Sequence, residues 1–227
     1  MPDIAVFLCC LNPNMAIPWA EAGYECYCVD TQHLIRKPRR VQYGAGYINF
    51  VWGDVRSWRP PEGRRIVFAA AFTPCTDVAG SGSQDWPKKG GFLLRDALEM
   101  FESARQAMAW SGAPYMLENS VGKLSSIEHI GRPDYYFHPN QYTLLCADDN
   151  YTKKTCIWGG NGFIMPEFCP DETLGPPDDR IHKAPPGDDR ANFRSATPMG
   201  FARATFLANR PRLPIVRAPS LIPAPPC

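Results

Sequence analysis

The sequence lacks the features that mark several common classes of protein. No run reaches the roughly 18 consecutive apolar residues of a membrane-spanning helix, and there is no internal repeat and no N-terminal signal peptide. The nine cysteines are odd in number and have none of the paired spacings typical of a zinc site or a disulfide framework. These absences predict reduced thiols, no bound metal, no membrane partner and a cytoplasmic location.

Acidic residues are missing from the C-terminal segment. Beyond Asp189 the chain has six arginines and no aspartate or glutamate, although the net charge of the whole sequence is only +1. A segment of one charge sign is compatible with phosphate contacts, and equally with a solvated surface. Its last part, residues 210–227, is rich in proline and is predicted to form an extended or disordered tail.

What the sequence does contain is an alternation of strand-like and helix-like segments. Its 227 residues, 44% of them hydrophobic, are enough for one domain with a sizeable core. The alternation predicts an α/β fold with a doubly wound, mostly parallel sheet. The predicted strands are residues 4–10, 24–29, 47–52, 66–72, 113–117, 142–146 and 155–158. The predicted helices are residues 15–22, 92–110 and 199–209, and residues 159–190 are predicted to form an irregular insert.

Chemically useful side chains follow four of these strands. Asp30 and Glu118 come directly after two of them, Asp54 follows the third after Gly53, and Cys75 follows the fourth after a Thr-Pro turn. Because open α/β sheets bind ligands at the carboxyl ends of their strands, we expect these side chains to converge on one edge. Each also has a purely structural interpretation: Cys75 as a small buried hydrophobe, Glu118 as a salt-bridged acid, and Asp30 as the cap of the next turn.

Six short segments resemble, in their order along the chain, motifs of the DNA cytosine-5 methyltransferases, most closely the short phage-type members. They are Ala22-Gly23-Tyr24 through Val29-Asp30, Gly53-Asp54-Val55, Thr73-Pro74-Cys75, Leu117-Glu118-Asn119, Lys153-Lys154-Thr155 with Ile157-Trp158-Gly159, and Arg194-Ser195-Ala196-Thr197-Pro198. The resemblance implies a Rossmann-like methyltransferase fold and admits a phage-encoded protein acting in a bacterial host. It also implies a catalytic domain at 1–158, a reduced target-recognition region at 159–190, and a helix at 191–209 that returns to the catalytic domain.

The same resemblance implies a role for each matching residue in chemistry on a cytosine extruded from DNA. Cys75 would add to C6, because C5 is a poor nucleophile until a bond at C6 turns the ring into an enamine. Glu118 would protonate or hydrogen-bond N3 as charge builds there, and Asn119 would hold that edge of the base or the loop. Lys154 matches a position that is usually arginine.

The implied cofactor is S-adenosyl-L-methionine. Asp30 and Asp54 would bind its ribose hydroxyls and adenine amine, with Phe7 near the adenosine. The full set of implied cofactor residues is Phe7, Asn12, Asp30, Asp54, Phe72 and Ser195.

Three departures from the family pattern keep other functions open. Residues 11–14 replace a glycine-rich cofactor loop, Ser120 replaces a proline or small apolar residue, and the insert has only about 30 residues, which is short for reading bases in duplex DNA. The first hypothesis is methylation of cytosine in DNA. The second is C5 modification of a free cytidine nucleotide or transfer of a modified group. The third is a non-catalytic homologue that binds nucleic acid or regulates a partner.

Overall fold

A computed structural model of the protein describes residues 3–181, 183 and 190–211, and these contain eight strands and four α-helices. The strands are β1 (Ile4–Leu8), β2 (Glu25–Asp30), β3 (Arg39–Tyr43), β4 (Gly46–Trp52), β5 (Ile66–Ala71), β6 (Tyr115–Ser120), β7 (Tyr135–Phe137) and β8 (Thr155–Gly160). The helices are α1 (Ile17–Glu21), α2 (Trp86–Trp110), α3 (Arg190–Ser195) and α4 (Met199–Asn209).

All eight strands belong to one mixed sheet in the order β3-β4-β2-β1-β5-β6-β8-β7. The five central strands, from β4 to β6, are mutually parallel, whereas β3 pairs antiparallel with β4 and β8 pairs antiparallel with both β6 and β7. The prediction of an α/β fold with a mostly parallel sheet is therefore confirmed. The order is compatible with a Rossmann-like fold.

The central strands form where the sequence is apolar on both faces. Every residue of β1 is buried, and so is nearly all of β5, as expected for parallel strands covered by helices on both sides. On one face α2 packs its buried stripe of Ala97, Phe101 and Met108. On the other face α1 and α4 meet, and Trp19 stacks on Phe68 of β5 with ring centroids 4.7 Å apart.

One predicted strand is wrong and two strands were missed. Residues 142–146 form no strand; Tyr142 ends a 3-10 turn, its ring packs on Phe201, and its hydroxyl donates to the carbonyl of Pro166. Tyr142 and Leu145 face the core from this turn while Leu144 is exposed, an alternation that spacing alone does not distinguish from a strand. The missed strands β3 and β7 are the two sheet edges, one strongly basic and one of three residues.

The end of the chain agrees in part with the prediction, because the single helix implied at 191–209 is divided at residues 196–198 into α3 and α4. Helix α4 occupies Met199–Asn209, as predicted, and residues 161–181 contain no helix or strand. All eight described cysteines are free thiols. Most of the predicted tail, residues 212–227, lies outside the described residues, as do 182 and 184–189 of the predicted insert.

Candidate functional site

The strand order brings the candidate side chains to one edge of the sheet. Asp30 ends β2, Asp54 follows β4, Cys75 follows β5 and Glu118 lies near the end of β6. The chain passes from β1 to β2 and β4 on one side, and to β5 and β6 on the other, so the topological switch lies between β1 and β5. A ligand crevice is expected at that point. The two aspartates thus flank it on one side, and the thiol and the glutamate on the other.

Asn119 fastens the Cys75 loop to β6. Its side chain is only 2% exposed, and its Nδ2 donates to the carbonyl oxygen of Thr73 at 2.9 Å and to Thr73 Oγ1 at 3.1 Å. Past Thr73, the carbonyl of half-buried Cys75 accepts hydrogen bonds from the N–H groups of Val78 and Ala79. The loop that carries the thiol is therefore held to the strand that carries Glu118.

We expect Asn119→Ala to destabilise the fold by about 1–3 kcal/mol, because it leaves two buried oxygens of Thr73 without a donor. Urea unfolding measures the loss. Thr73→Val is the matched control, since it removes only the hydroxyl acceptor and keeps the carbonyl bond, and its loss is expected to be smaller. Equal stability of Asn119→Ala and wild type would show that this contact does not hold the loop.

Glu118 has an environment that favours the protonated carboxyl group. Its side chain is 15% exposed, and burial raises the pKa of the carboxyl group above its ordinary value. The ammonium group of Lys153, 3.8 Å from Oε1, opposes this pKa shift without cancelling it. Glu118 is therefore suited to donate a proton or a hydrogen bond to a neighbouring ligand atom at a higher pH than an ordinary glutamate.

The cation beside Glu118 is Lys153, the neighbour of Lys154. Lys154 is exposed, and its Nζ lies 4.7 Å from the centre of the Tyr136 ring on the edge strand β7. Neighbouring residues of an extended segment face opposite sides, so only one of the two lysines can reach Glu118. The Lys-Lys pair is visible in the sequence, but the choice depends on the register in which Glu118 faces Ile157 across β6 and β8.

The two aspartates differ in how fully their carboxylates are engaged. Asp30 is buried and accepts a hydrogen bond from the N–H of Gln32 at 2.8 Å through Oδ1, while its Oδ2 bonds to none of the described residues. Asp54 is paired with Arg56 through both oxygens, at 2.9 Å from Nε and 2.6 Å from Nη2. These hydrogen bonds hold the pKa of Asp54 below its ordinary value. Asp30 can still accept a ligand hydroxyl, whereas Asp54 is occupied.

The loop after β1 is held by its own side chains and by the segment beyond α3. Asn12, which is exposed, accepts a hydrogen bond from the N–H of Asn14 at 2.9 Å through its side chain. Asn14 in turn donates to the carbonyl of Thr197 at 2.7 Å, two residues beyond the exposed Ser195. This contact joins two segments, around Asn12 and Ser195, that the resemblance assigned to the cofactor.

The two predicted aromatic cofactor residues are placed differently. Phe7 lies within β1, is wholly buried, and packs near Phe68 with ring centroids 6.4 Å apart. The assignment of Phe7 to a ligand site is therefore corrected: it is a core residue, because both faces of β1 are covered. Phe72 is half-buried at the crevice, where its N–H donates to the carbonyl of Leu8 at 3.0 Å.

The residues at this edge fit the adenosine half of S-adenosylmethionine better than its methionine half. Asp30 offers a carboxylate oxygen to a ribose hydroxyl. The loop at residues 11–14 has no glycine for a close backbone approach, and Pro13 has no N–H to donate. Asp54 can bind the adenine amine only where Arg56 releases it.

Two cavities lie at opposite ends of the parallel strands. One, of about 390 Å³, adjoins the Cys75 loop and is lined in part by Asp77, Trp86 and Lys123. The other, of about 740 Å³, lies near Tyr24, at the opposite edge where the parallel strands begin. The volume of the smaller cavity lies in the range of small-molecule sites, but neither Cys75 nor Glu118 lines it.

Comparison with known proteins identifies no family for this sequence. No helix within the described ranges has the length and apolar character needed to cross a membrane. The sequence matches no protein-family model, and a search of curated proteins finds no similar sequence.

Proposed function

We propose that the protein transfers a methyl group from S-adenosylmethionine to C5 of cytosine in DNA, through a covalent bond between Cys75 and C6. One observation carries the proposal: Cys75 and a Glu118 suited to hold a proton lie at the ends of adjacent strands, joined by the Asn119–Thr73 contact. Neighbouring strands lie about 4.8 Å apart, so one flat base can be reached from both.

The distribution of the candidate side chains along the carboxyl edge of the sheet supports a Rossmann-like fold of the methyltransferase type. The acids suited to a nucleoside lie on the β2 and β4 side of the switch point, and the groups suited to a pyrimidine lie on the β5 and β6 side. S-adenosylmethionine, when bound, supplies an electrophilic methyl group. Asp30 would hold its ribose, and the loop at residues 11–14 would face its other half.

The chain's own residues account for the activation of the base. The Cys75 thiolate forms a bond to C6, and the electron pair displaced from the C5–C6 double bond makes C5 nucleophilic. Glu118 gives its proton or a hydrogen bond to N3, which stabilises the charge that builds in the ring. Once C5 carries the methyl group, its proton is lost to solvent and the electron pair of that C–H bond re-forms the C5–C6 double bond. The Sγ–C6 bond breaks, Cys75 leaves as the thiolate, and any proton given to N3 returns to Glu118.

A polymeric substrate is supported by the surface of the edge strand β7, which lies two strands from β6. Tyr136 is 43% exposed on β7, and the Lys154 ammonium group lies over its ring. An exposed aromatic ring next to a cation suits a strand of nucleic acid, since bases stack on the ring and phosphates pair with the cation. A free nucleotide makes no use of this surface.

A second candidate is a non-catalytic homologue that binds nucleic acid. The observations in its favour are the engagement of Asp54 by Arg56 and the glycine-free loop at residues 11–14. Both would weaken cofactor binding while leaving the Tyr136 surface intact.

The direct test is to incubate the protein with S-adenosylmethionine and each of duplex DNA, single-stranded DNA and a cytidine nucleotide. Products are digested to nucleosides, and 5-methylcytosine is quantified by mass spectrometry. We expect 5-methylcytosine in DNA with the wild type and none with Cys75→Ser. Modification of the free nucleotide alone would support the nucleotide enzyme, and no product from any substrate would support the non-catalytic homologue.

A further inference from the structure

We propose that Arg56 is a reversible lock on the cofactor half of the site: it occupies the Asp54 carboxylate and must move away before Asp54 can bind a ligand amine. The inference rests on the proposed function, since it takes the ligand to be an adenosine derivative. It assigns a regulatory and specificity-determining role to a residue outside the segments that resemble known motifs.

The contacts between Arg56 and Asp54 use the whole carboxylate. The backbone N–H of Arg56 donates to Oδ1 at 2.9 Å, Nε donates to the same oxygen at 2.9 Å, and Nη2 donates to Oδ2 at 2.6 Å. Two parallel bonds from a guanidinium group are the strongest pairing that a carboxylate makes with a side chain. A neutral aromatic amine cannot match them, so it competes poorly while Arg56 stays in place.

The same guanidinium group is anchored at a second point. Its Nη1 donates to Oδ1 of Asp96 at 2.6 Å, and Asp96 lies in α2, 40 residues further along the chain. Arg56 therefore connects the end of β4 with a helix that packs against one face of the sheet. Release of Asp54 leaves Arg56 with a carboxylate partner on α2, so the cation need not become unpaired when the ligand enters.

The exposure of the three side chains makes the lock reversible. They are 28%, 35% and 36% exposed for Asp54, Arg56 and Asp96 respectively. Ion pairs that face solvent contribute little net stability, because water solvates the separated charges nearly as well. The pair can therefore open at low cost, in contrast to a pair buried in the core.

The neighbouring acid, Asp30, has a carboxylate oxygen that is available to a ligand. Asp30 stands on the adjacent strand, where its carbonyl accepts a hydrogen bond from the N–H of Gly53 at 3.3 Å, and its Oδ2 bonds to none of the described side chains or backbone groups. Of the two acids, only Asp54 is paired with a guanidinium group. The lock thus acts on the amine end of the ligand and not on the ribose end.

Calorimetric titration with S-adenosylhomocysteine tests the lock without requiring turnover. We expect Arg56→Ala to bind it about two- to fivefold more tightly than wild type, since displacing a solvent-facing ion pair costs the ligand no more than about that factor. Asp96→Asn, which removes only the second anchor, is expected to have a smaller effect. Arg65→Ala is the matched control, because Arg65 pairs with Asp3 through a similar two-bond contact at the opposite sheet edge. The affinity of the Arg65→Ala variant for S-adenosylhomocysteine should equal that of wild type.

A ligand without the amine makes the test specific. S-inosylhomocysteine has a carbonyl in place of the adenine amine, so Arg56→Ala should give no comparable gain with it. Thermal unfolding of each variant checks that the fold is intact. Equal or weaker binding of S-adenosylhomocysteine by folded Arg56→Ala would overturn the lock alone, and an equal gain with both ligands would overturn its action through the amine. Absence of binding in wild type and Arg56→Ala alike would overturn the lock, and the methylation assay then decides separately on the proposed function.

Discussion

We expect oligonucleotides that contain 5-fluorocytosine to become covalently attached to the wild-type protein in the presence of S-adenosylmethionine, and Cys75→Ser to lose this attachment. The reason is that C5 then carries fluorine in place of the hydrogen that would be removed as a proton, so the bond between Sγ of Cys75 and C6 persists after the ring has been methylated. We expect a loss of about 10³-fold or more in trapped complex, because removal of a nucleophile abolishes the covalent route. Denaturing gels and intact-protein mass spectrometry measure the adduct.

Two other cysteines provide matched controls for the trapping experiment. Cys146 and Cys169 are also free and half-buried, and neither follows one of the parallel strands. Cys146→Ser and Cys169→Ser should therefore trap the oligonucleotide as wild type does. Attachment to Cys75→Ser would refute the proposed nucleophile. Trapping by the free nucleotide and not by DNA would overturn the choice of substrate.

Replacement of Glu118 is expected to lower the rate of methyl transfer by about 10²–10⁴-fold, the usual contribution of a positioned acid. The wild-type rate should fall as the pH rises through the raised pKa of Glu118, because only the protonated carboxyl group can donate to N3. Glu118→Gln keeps an N–H donor and cannot titrate, so its smaller rate should lack this descending limb. A Glu118→Gln profile with the same limb would assign the titration to another group.

The two adjacent lysines give a sharper version of the same experiment. Lys153 lowers the pKa of Glu118, so Lys153→Met should move the descending limb of the pH profile to higher pH. Lys154→Met is the control: its cation lies over Tyr136, and the limb should stay where it is, while binding to long DNA weakens. A shift of the limb in Lys154→Met but not in Lys153→Met would show that the register of β6 and β8 differs from the one described.

The central strands could be predicted from the sequence because their signal is local. β1 and β5 are short apolar runs that are buried on both faces, and each ends at polar or small residues that mark the carboxyl edge. The candidate side chains after these strands followed from the same pattern, since parallel strands all end at one edge. Helix α4 was also evident from its length and its preceding proline.

The tertiary structure alone decided which side chains meet. Phe7 and Phe72 look alike in the sequence, but one is in the core and the other at the crevice. The pairing register of β6 and β8 decides that Lys153, and not Lys154, reaches Glu118. The contact of Arg56 with Asp96 joins residues 40 positions apart. Burial and periodicity are properties of a segment and are written into its own residues, whereas register and pairing depend on where distant segments pack, which no local pattern of side chains specifies.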